Sequence, residues 1–443
     1  MLKLNKYRLS SLLLIFMVHN PGLKAQFLYY DSLTYAQYLN EDWKNLLKSS
    51  REAISKDQDY YYMRMRRGIA YYERNNYVLA ERNFKKAELF NSIEPVCKEY
   101  IYYSKLFMGE EKDALRYYHN NEEYLGKRLD IKKKPVTSFS IDMAYLSRLD
   151  KDYSSNFEAD EILNINGSQT ITKNFRLFNF LLSHDLGKNL RVFHGGTYLG
   201  KSSYYYLQDG GNSYQADVNN IRQVQYYAGL GVYPGAKFTL VGTVHYIHYN
   251  FPDLFFGGWG MGSSYSVPGT SGNFFSGRFA VYKLFGFLKP GLGISVSNLN
   301  YKNQVQKDAH LITYPLGNRK LYTISSVYII DEEYLGEKDS YLSFHNTIGF
   351  KSFGNVWFEA KVRAGESRNL VAHDGFSIYN FDEIQTGGYE FSILVPGIEK
   401  TFRLVSVISN YHNFYIDGAG NITSLNKIES NSLTIIGEIK WNF

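Results

Sequence analysis

The chain of 443 residues has one cysteine, nine prolines and no apolar run of the roughly 20 residues that a membrane-spanning helix requires. The lone Cys97 excludes an internal disulfide framework, so stability has to come from burial and hydrogen bonding. Charge of one sign is lacking as well. The 49 basic and 43 acidic residues leave a net +6, too mild at this length to point to a partner, and no nucleic acid is expected. The ten histidines form no H-x-x-x-H or H-E-x-x-H pattern on a predicted helix. His245 and His248 stand three apart on a predicted strand and so face opposite sides, which argues against a metal pair. A hydrolase would need Ser or Asp to converge with His at one level of the fold, and no pattern marks such a site. No cofactor, metal or catalytic residue is expected, and the chain does not read as an enzyme.

What the chain has instead is aromatic weight: 41 Tyr and 30 Phe, with 37 Gly. Its N-terminus carries Lys3, Lys6 and Arg8, then a short apolar run over residues 12–18, then Asn20-Pro21-Gly22, which is expected to break the helix. That is the grammar of a secretory signal peptide, residues 1–25, cleaved after Ala25. No Cys stands beside the cleavage site, so no lipid anchor is expected there. An exported chain rich in aromatics and glycine, without apolar helices, points to a β-barrel in the outer membrane of a Gram-negative cell.

Two periodicities divide the remainder. Residues 26–134 carry apolar side chains at three- and four-residue spacing, as helices do. Gly68, Tyr71, Ala80, Phe84 and Ala87 occupy the key positions of a tetratricopeptide repeat, where small residues let paired helices approach and aromatics fill the groove. Ala53 lies 34 residues before Ala87, and Ala114 and Tyr118 lie 34 residues after Ala80 and Phe84. This period resembles the helix-turn-helix signature of that family, with about three degenerate repeats placed in the periplasm. A basic run, Lys127, Arg128, Lys132, Lys133 and Lys134, follows; it suits a solvated linker or a contact with lipid phosphates or a polyanionic client.

Across residues 135–443 the period becomes two. In "SLTIIGEIKWNF", Leu433, Ile435, Gly437, Ile439, Trp441 and Phe443 share one face, and Ile436 is the exception on the other. A terminal Phe preceded by alternating apolar residues resembles the signal by which outer-membrane barrels are recognised for insertion. Leu288, Pro290, Leu292, Ile294 and Val296 alternate likewise, as do Val356, Phe358, Ala360 and Val362 against Trp357, Glu359, Lys361 and Arg363. Tight turns are expected at "HDLGKN", "YPGAK", "LFGF", "PLGNR", "SFGN" and "VPGIE". Longer outside loops are expected at residues 150–168, 208–220, 251–273, 369–387 and 414–430. Short and long links alternate, giving an antiparallel transmembrane barrel of about fourteen strands with both ends on the periplasmic side.

One motif cuts across this reading. Gly195, Gly200, Lys201 and Ser202 match G-x-x-x-x-G-K-[ST], the phosphate-binding loop. Such a loop needs a helix after it whose N-terminus faces the phosphates, whereas here an aromatic strand follows. The motif is therefore expected to be strand, with Lys201 near the outer rim.

A tetratricopeptide array joined to an outer-membrane barrel resembles three families: poly-N-acetylglucosamine exporters, surface lipoprotein assembly modifiers and YaiO-like proteins. The resemblance implies export or surface assembly, in which the array recruits a periplasmic lipoprotein, protein or polysaccharide client to the barrel. Outer-membrane lipid and the barrel assembly machinery are the other implied partners. The alternatives are a non-transporting scaffold subunit of an outer-membrane machine and a simple porin.

Overall fold

The structure is a computed structural model that describes residues 21–129, 131, 135–150, 165–209, 212–256, 265–334, 336–380, 383–417 and 422–443. The expected basic and apolar parts of the signal peptide, most of residues 150–168 and Lys132 to Lys134 of the basic run lie outside these residues. The chain divides into two compact units, Met1–Lys132 with Pro315–Arg319, and Lys133–Tyr314 with Lys320–Phe443.

The first unit holds seven helices among the described residues: α1 (Pro21–Leu39), α2 (Trp43–Ser55), α3 (Tyr61–Glu73), α4 (Tyr77–Phe90), α5 (Pro95–Phe107), α6 (Glu111–Asn120) and α7 (Glu122–Leu125). Where a break was expected at Pro21, helix α1 begins instead, since the first helical turn tolerates proline's fixed φ and missing N–H. Polar caps fix other starts: Asp42 accepts from the Asn45 N–H at 3.3 Å, and Asn76 from the Leu79 N–H at 3.1 Å. From α1 to α6 each helix packs on the next. Ala80, Phe84 and Ala87 are fully buried in one cluster with Cys97 and Ile101, and Tyr71 packs against it. Gly68 permits this approach, because a Cβ there would stand 2.5 Å from the Phe84 ring. Ala114 and Tyr118 belong to a second cluster with Tyr102, Leu125 and Leu129.

The second unit is a closed antiparallel barrel of fourteen strands. They are β1 (Val136–Arg148), β2 (Gly167–Leu186), β3 (Leu190–Asp209), β4 (Asn212–Gly235), β5 (Phe238–Phe251), β8 (Thr270–Lys283) and β9 (Leu288–Ser297), then β10 (Asn303–Thr313), β11 (Leu321–Tyr334), β12 (Glu337–Lys351), β13 (Trp357–Gly365), β16 (Ile384–Pro396), β17 (Lys400–Asp417) and β18 (Ile422–Asn442). Two short ribbons lie between barrel strands: β6 (Leu254–Phe256) with β7 (Tyr265–Val267), and β14 (Leu370–Ala372) with β15 (Ser377–Tyr379). The barrel closes where β1 pairs with β18: Phe139 stands opposite Trp441 with the rings stacked at 5.6 Å, and the Phe443 N–H reaches the Thr137 carbonyl at 3.0 Å. All six expected tight turns join strands at the end of the barrel that also holds Val136 and Phe443.

Two expected outside loops are strand instead. Residues 208–220 belong to the β3–β4 hairpin, paired out to Asp209 and Asn212, and residues 414–430 belong largely to β17 and β18. There the strands run on past the alternating stretch, and β4 is exposed along most of residues 212–220. Polar sequence on both faces of a projecting strand reads as loop, because the period-two signal depends on one face being apolar.

Candidate functional site: the barrel lumen and its inserted hairpin

Strand alternation sorts the barrel wall by polarity. Outward positions such as Leu292, Ile294, Val296, Leu342, Phe344, Phe391, Leu404 and Ile435 are exposed hydrocarbon. Inward positions such as Gln223, Gln225, Thr243, Arg278, Gln306, His345, Arg363 and Ser409 are buried and polar. This inverts the arrangement of a water-soluble sheet and suits a wall with lipid outside and a polar interior. On β18, Ile435, Ile439 and Phe443 are exposed, while Ser432 and Thr434 on the other face are buried. Leu433 is half-buried, Gly437 is exposed, Trp441 stacks on Phe139, and Ile436 takes the inward parity.

Part of the interior is occupied by the chain's own residues 366–380, from the link between β13 and β16. The sequence places an outside loop over residues 369–387; the structure instead folds this link inward as a β-hairpin, with Leu370 opposite Tyr379 and Ala372 opposite Ser377. Its turn uses three consecutive left-handed residues, His373 (φ 50°), Asp374 (φ 55°) and Gly375 (φ 86°). Gly375 is required twice over, since a Cβ would also lie 2.5 Å from the Thr243 hydroxyl.

Apolar and polar contacts both seat the hairpin. Leu370, fully buried, packs with Tyr328, Ile330 and Tyr341, and Val371, also fully buried, packs with Ile247, Phe274 and Leu299. Burying a Leu or Val side chain contributes about 1.5–3 kcal/mol each. The Gln306 amide treats Val371 as a neighbouring strand would, donating to its carbonyl at 2.8 Å and accepting from its N–H at 3.0 Å. His245 Nδ1 donates to the Gly375 carbonyl at 2.8 Å, and Tyr282 donates to Asp374 at 2.6 Å. Gln304 donates to the Asn369 carbonyl at 2.9 Å, and Asn369 donates to Glu332 at 2.6 Å. Gln223 and Asn380 exchange amide hydrogen bonds at 3.2 and 3.3 Å. At the far end of the link, Glu383 pairs with Arg148 and accepts from the Thr172 N–H at 2.8 Å, which ties it to β1 and β2. The hairpin is thus held by inward residues from β4 round to β13, and the link ends clasped to the opposite arc.

Two ion-pair networks stand in the lumen, and among the described residues Arg363 meets only the neutral Tyr379, Gln385 and Ser409. Arg278 binds Asp308 through both guanidinium nitrogens, and Asp308 also meets His310 at 2.7 Å. His310 in turn lies 2.8 Å from the Ser326 hydroxyl, so Ser326, His310 and Asp308 converge as no sequence pattern showed. The Asp308 carboxylate is committed to Arg278, and Ser326 sits within a regular strand that offers no turn of backbone N–H groups to an oxyanion. The array braces the hairpin, since Arg278 also reaches Asp374 at 3.5 Å and Asp308 accepts from Gln306 at 3.1 Å. A second network joins Arg403 to Glu359 at 2.9 Å and Glu390 at 3.5 Å, with Lys361 3.7 Å from Glu390.

The phosphate-loop match lies wholly within β3 and no helix follows it. Lys201 is buried in the wall eight residues before the strand ends, not near its rim, because β3 extends to Asp209. His245 faces the interior, whereas His248 is half-buried and meets Asn273 at 2.9 Å on the other face of the strand. The inserted segment "NLVAHDGFSIY" carries Leu, Val, Phe, Ile and Tyr, an apolar content that an outside loop has no use for, but its spacing does not say that the chain turns inward.

No family model matches this chain, and no curated protein does either. Among solved structures it is similar to a mutant of the TodX monoaromatic hydrocarbon channel, at 8% identity and TM-score 0.44, covering 70% of this chain and 91% of that one. The Ralstonia pickettii toluene transporter TbuX gives 8% identity and TM-score 0.44, covering 70% and 90%. A Pseudomonas aeruginosa FadL homologue gives 9% and 0.42, also covering 70% and 90%. The closed barrel is established by its own strand pairing.

Proposed function

We propose that this protein is an outer-membrane barrel of transport type, closed at rest by its β14–β15 hairpin, whose helical unit lies in the periplasm and recruits a client for export or surface assembly. One observation carries the reading: a closed fourteen-stranded wall with hydrocarbon outside and buried polar groups inside, with a hairpin from its own chain seated against the inward residues. Hydrocarbon on the outside calls for lipid, and a lumen lined with amides, hydroxyls and paired charges suits the passage of polar material once the hairpin moves. The 34-residue spacing, together with the packing of Gly68, Ala80, Phe84 and Ala87, supports a tetratricopeptide-type array, and such arrays bind extended clients. The outward face of β18 up to Phe443 is the proposed signal to the barrel assembly machinery.

The seated hairpin also favours a second reading, a silent scaffold in which the hairpin never leaves. Surface display of lipoprotein and polysaccharide, compared at equal barrel abundance between the intact strain and one lacking residues 26–128, tests recruitment. Display that falls in the truncated strain supports it. Identical display removes recruitment and leaves the scaffold or a simple porin.

A further inference from the structure

The helical unit contains a cleft of about 180 Å³ between α3 and α4, lined in part by Arg64, Arg67, Arg82, Asn83 and Lys86. Four of these five are cations, and among the described residues only Arg64 has a carboxylate partner: Asp59 takes its guanidinium at 2.6 and 2.5 Å. Asn83 faces Arg64 at 3.1 Å and the Leu79 carbonyl at 2.8 Å. Arg67 donates to the Ser50 hydroxyl at 3.3 Å and lies over the Tyr71 ring at 5.7 Å, so it meets no carboxylate, and its Nε is buried with no hydrogen-bond partner. Burial depresses the Arg67 guanidinium below its ordinary value, and the nearby Arg64 and Arg51 act in the same direction against Tyr71. Arg82 and Lys86, one turn apart on α4, form no ion pair among the described residues. Like charges at that spacing destabilise a helix, and a partly desolvated guanidinium beside them adds to the cost.

We infer that this cleft binds a single phosphate-type oxyanion borne by the client, an assignment that rests on the helical unit being the recruiting part. Its volume is below the roughly 300–1,000 Å³ of pockets that enclose a whole small molecule, so it takes a group and leaves the rest of the ligand outside. Three uncompensated cations match a dianion better than a monoanionic carboxylate, and two of them are guanidinium forks suited to phosphate oxygens. An entering anion relieves the repulsion among these cations.

The test uses the full chain purified in detergent, with inorganic pyrophosphate as the probe and chloride at matched ionic strength as the control. Two readouts are taken: calorimetric binding and the melting midpoint of the helical circular-dichroism signal. Pyrophosphate should bind saturably and raise the midpoint, since a ligand bound only to the folded state stabilises it, and chloride should do neither. The double variant Arg82→Gln/Lys86→Gln should fold, melt no lower than the parent, and lose at least about tenfold in affinity. A purely structural role predicts a lower midpoint in that variant, and this result overturns the site. So does binding that is absent from the parent or unchanged in the variant. The two proposals fail separately. Pyrophosphate binding with display independent of residues 26–128 sinks recruitment alone, and absent binding with display still dependent on them sinks the cleft alone.

Discussion

Cys97 donates its thiol to the Phe84 carbonyl at 3.2 Å, inside the cluster where Ala80 and Ala87 meet. Burial, reinforced by the Glu88 carboxylate, pushes the thiol up to about 12. The thiolate is the reactive form, so native protein at neutral pH should resist a maleimide and react fully only after unfolding. Mass spectrometry of labelled protein reads this, and prompt labelling of folded protein would contradict the packing. Asp31 behaves in the opposite sense. Burial alone would raise its carboxyl, but hydrogen bonds from Tyr60 and Arg66 and the Arg66 charge outweigh it and hold it below the ordinary 3.8. A depressed folded value means that the stabilisation is present above that ordinary value and is lost as pH falls through the folded one. Asp31→Asn should therefore lower the helical melting midpoint at neutral pH and lose less than the parent does on acidification below about pH 4. Equal acid sensitivity in the two would remove Asp31 from the account. At this scale the sequence indicated small and aromatic residues at Gly68 and Phe84 by their spacing. It did not indicate the cleft cations, because nothing in spacing says which arginines lack a carboxylate.

The hairpin of residues 366–383 makes the largest demand on a single element. Val371 has no exposed surface and lies between Ile247, Phe274 and Leu299, so Val371→Asp places an unpaired charge in an apolar seat. Breaking such a seat costs several kcal/mol, enough to unseat a short hairpin while the barrel's own strand pairing is untouched. Limited proteolysis should then cut within residues 366–383 in Val371→Asp and spare them in the parent; equal resistance would mean that the seat tolerates the charge. On β18, deleting Phe443 should reduce the inserted amount of barrel, and an undiminished yield of heat-modifiable folded protein would count against the proposed assembly signal. The tight turns were legible because Gly, Pro and Asn mark them directly. The hairpin was not, since a turn residue says that the chain reverses and not whether the reversed chain goes outward to solvent or inward to a lumen.

For the molecule as a whole, the count of fourteen strands could be read from alternating links, and the observed sheet closes on that number. The inverted polarity was equally visible in segments such as "LKPGLGISVSN", where Leu292, Ile294 and Val296 are indeed exposed. What alternation along a single strand could not convey is which inward residues meet across the interior. Arg278 and Asp308 are 30 residues apart, and Arg148 and Glu383 are 235 apart. The state of the lumen depends on those meetings. The proposed transport function requires a membrane-spanning barrel held shut by its own hairpin. Conductance in a planar lipid bilayer tests it, comparing the intact protein with a variant in which residues 367–382 are replaced by a short Gly-Ser link. The account predicts a silent intact barrel and a stable open channel in the variant. Equal traces, whether both open or both silent, would contradict it.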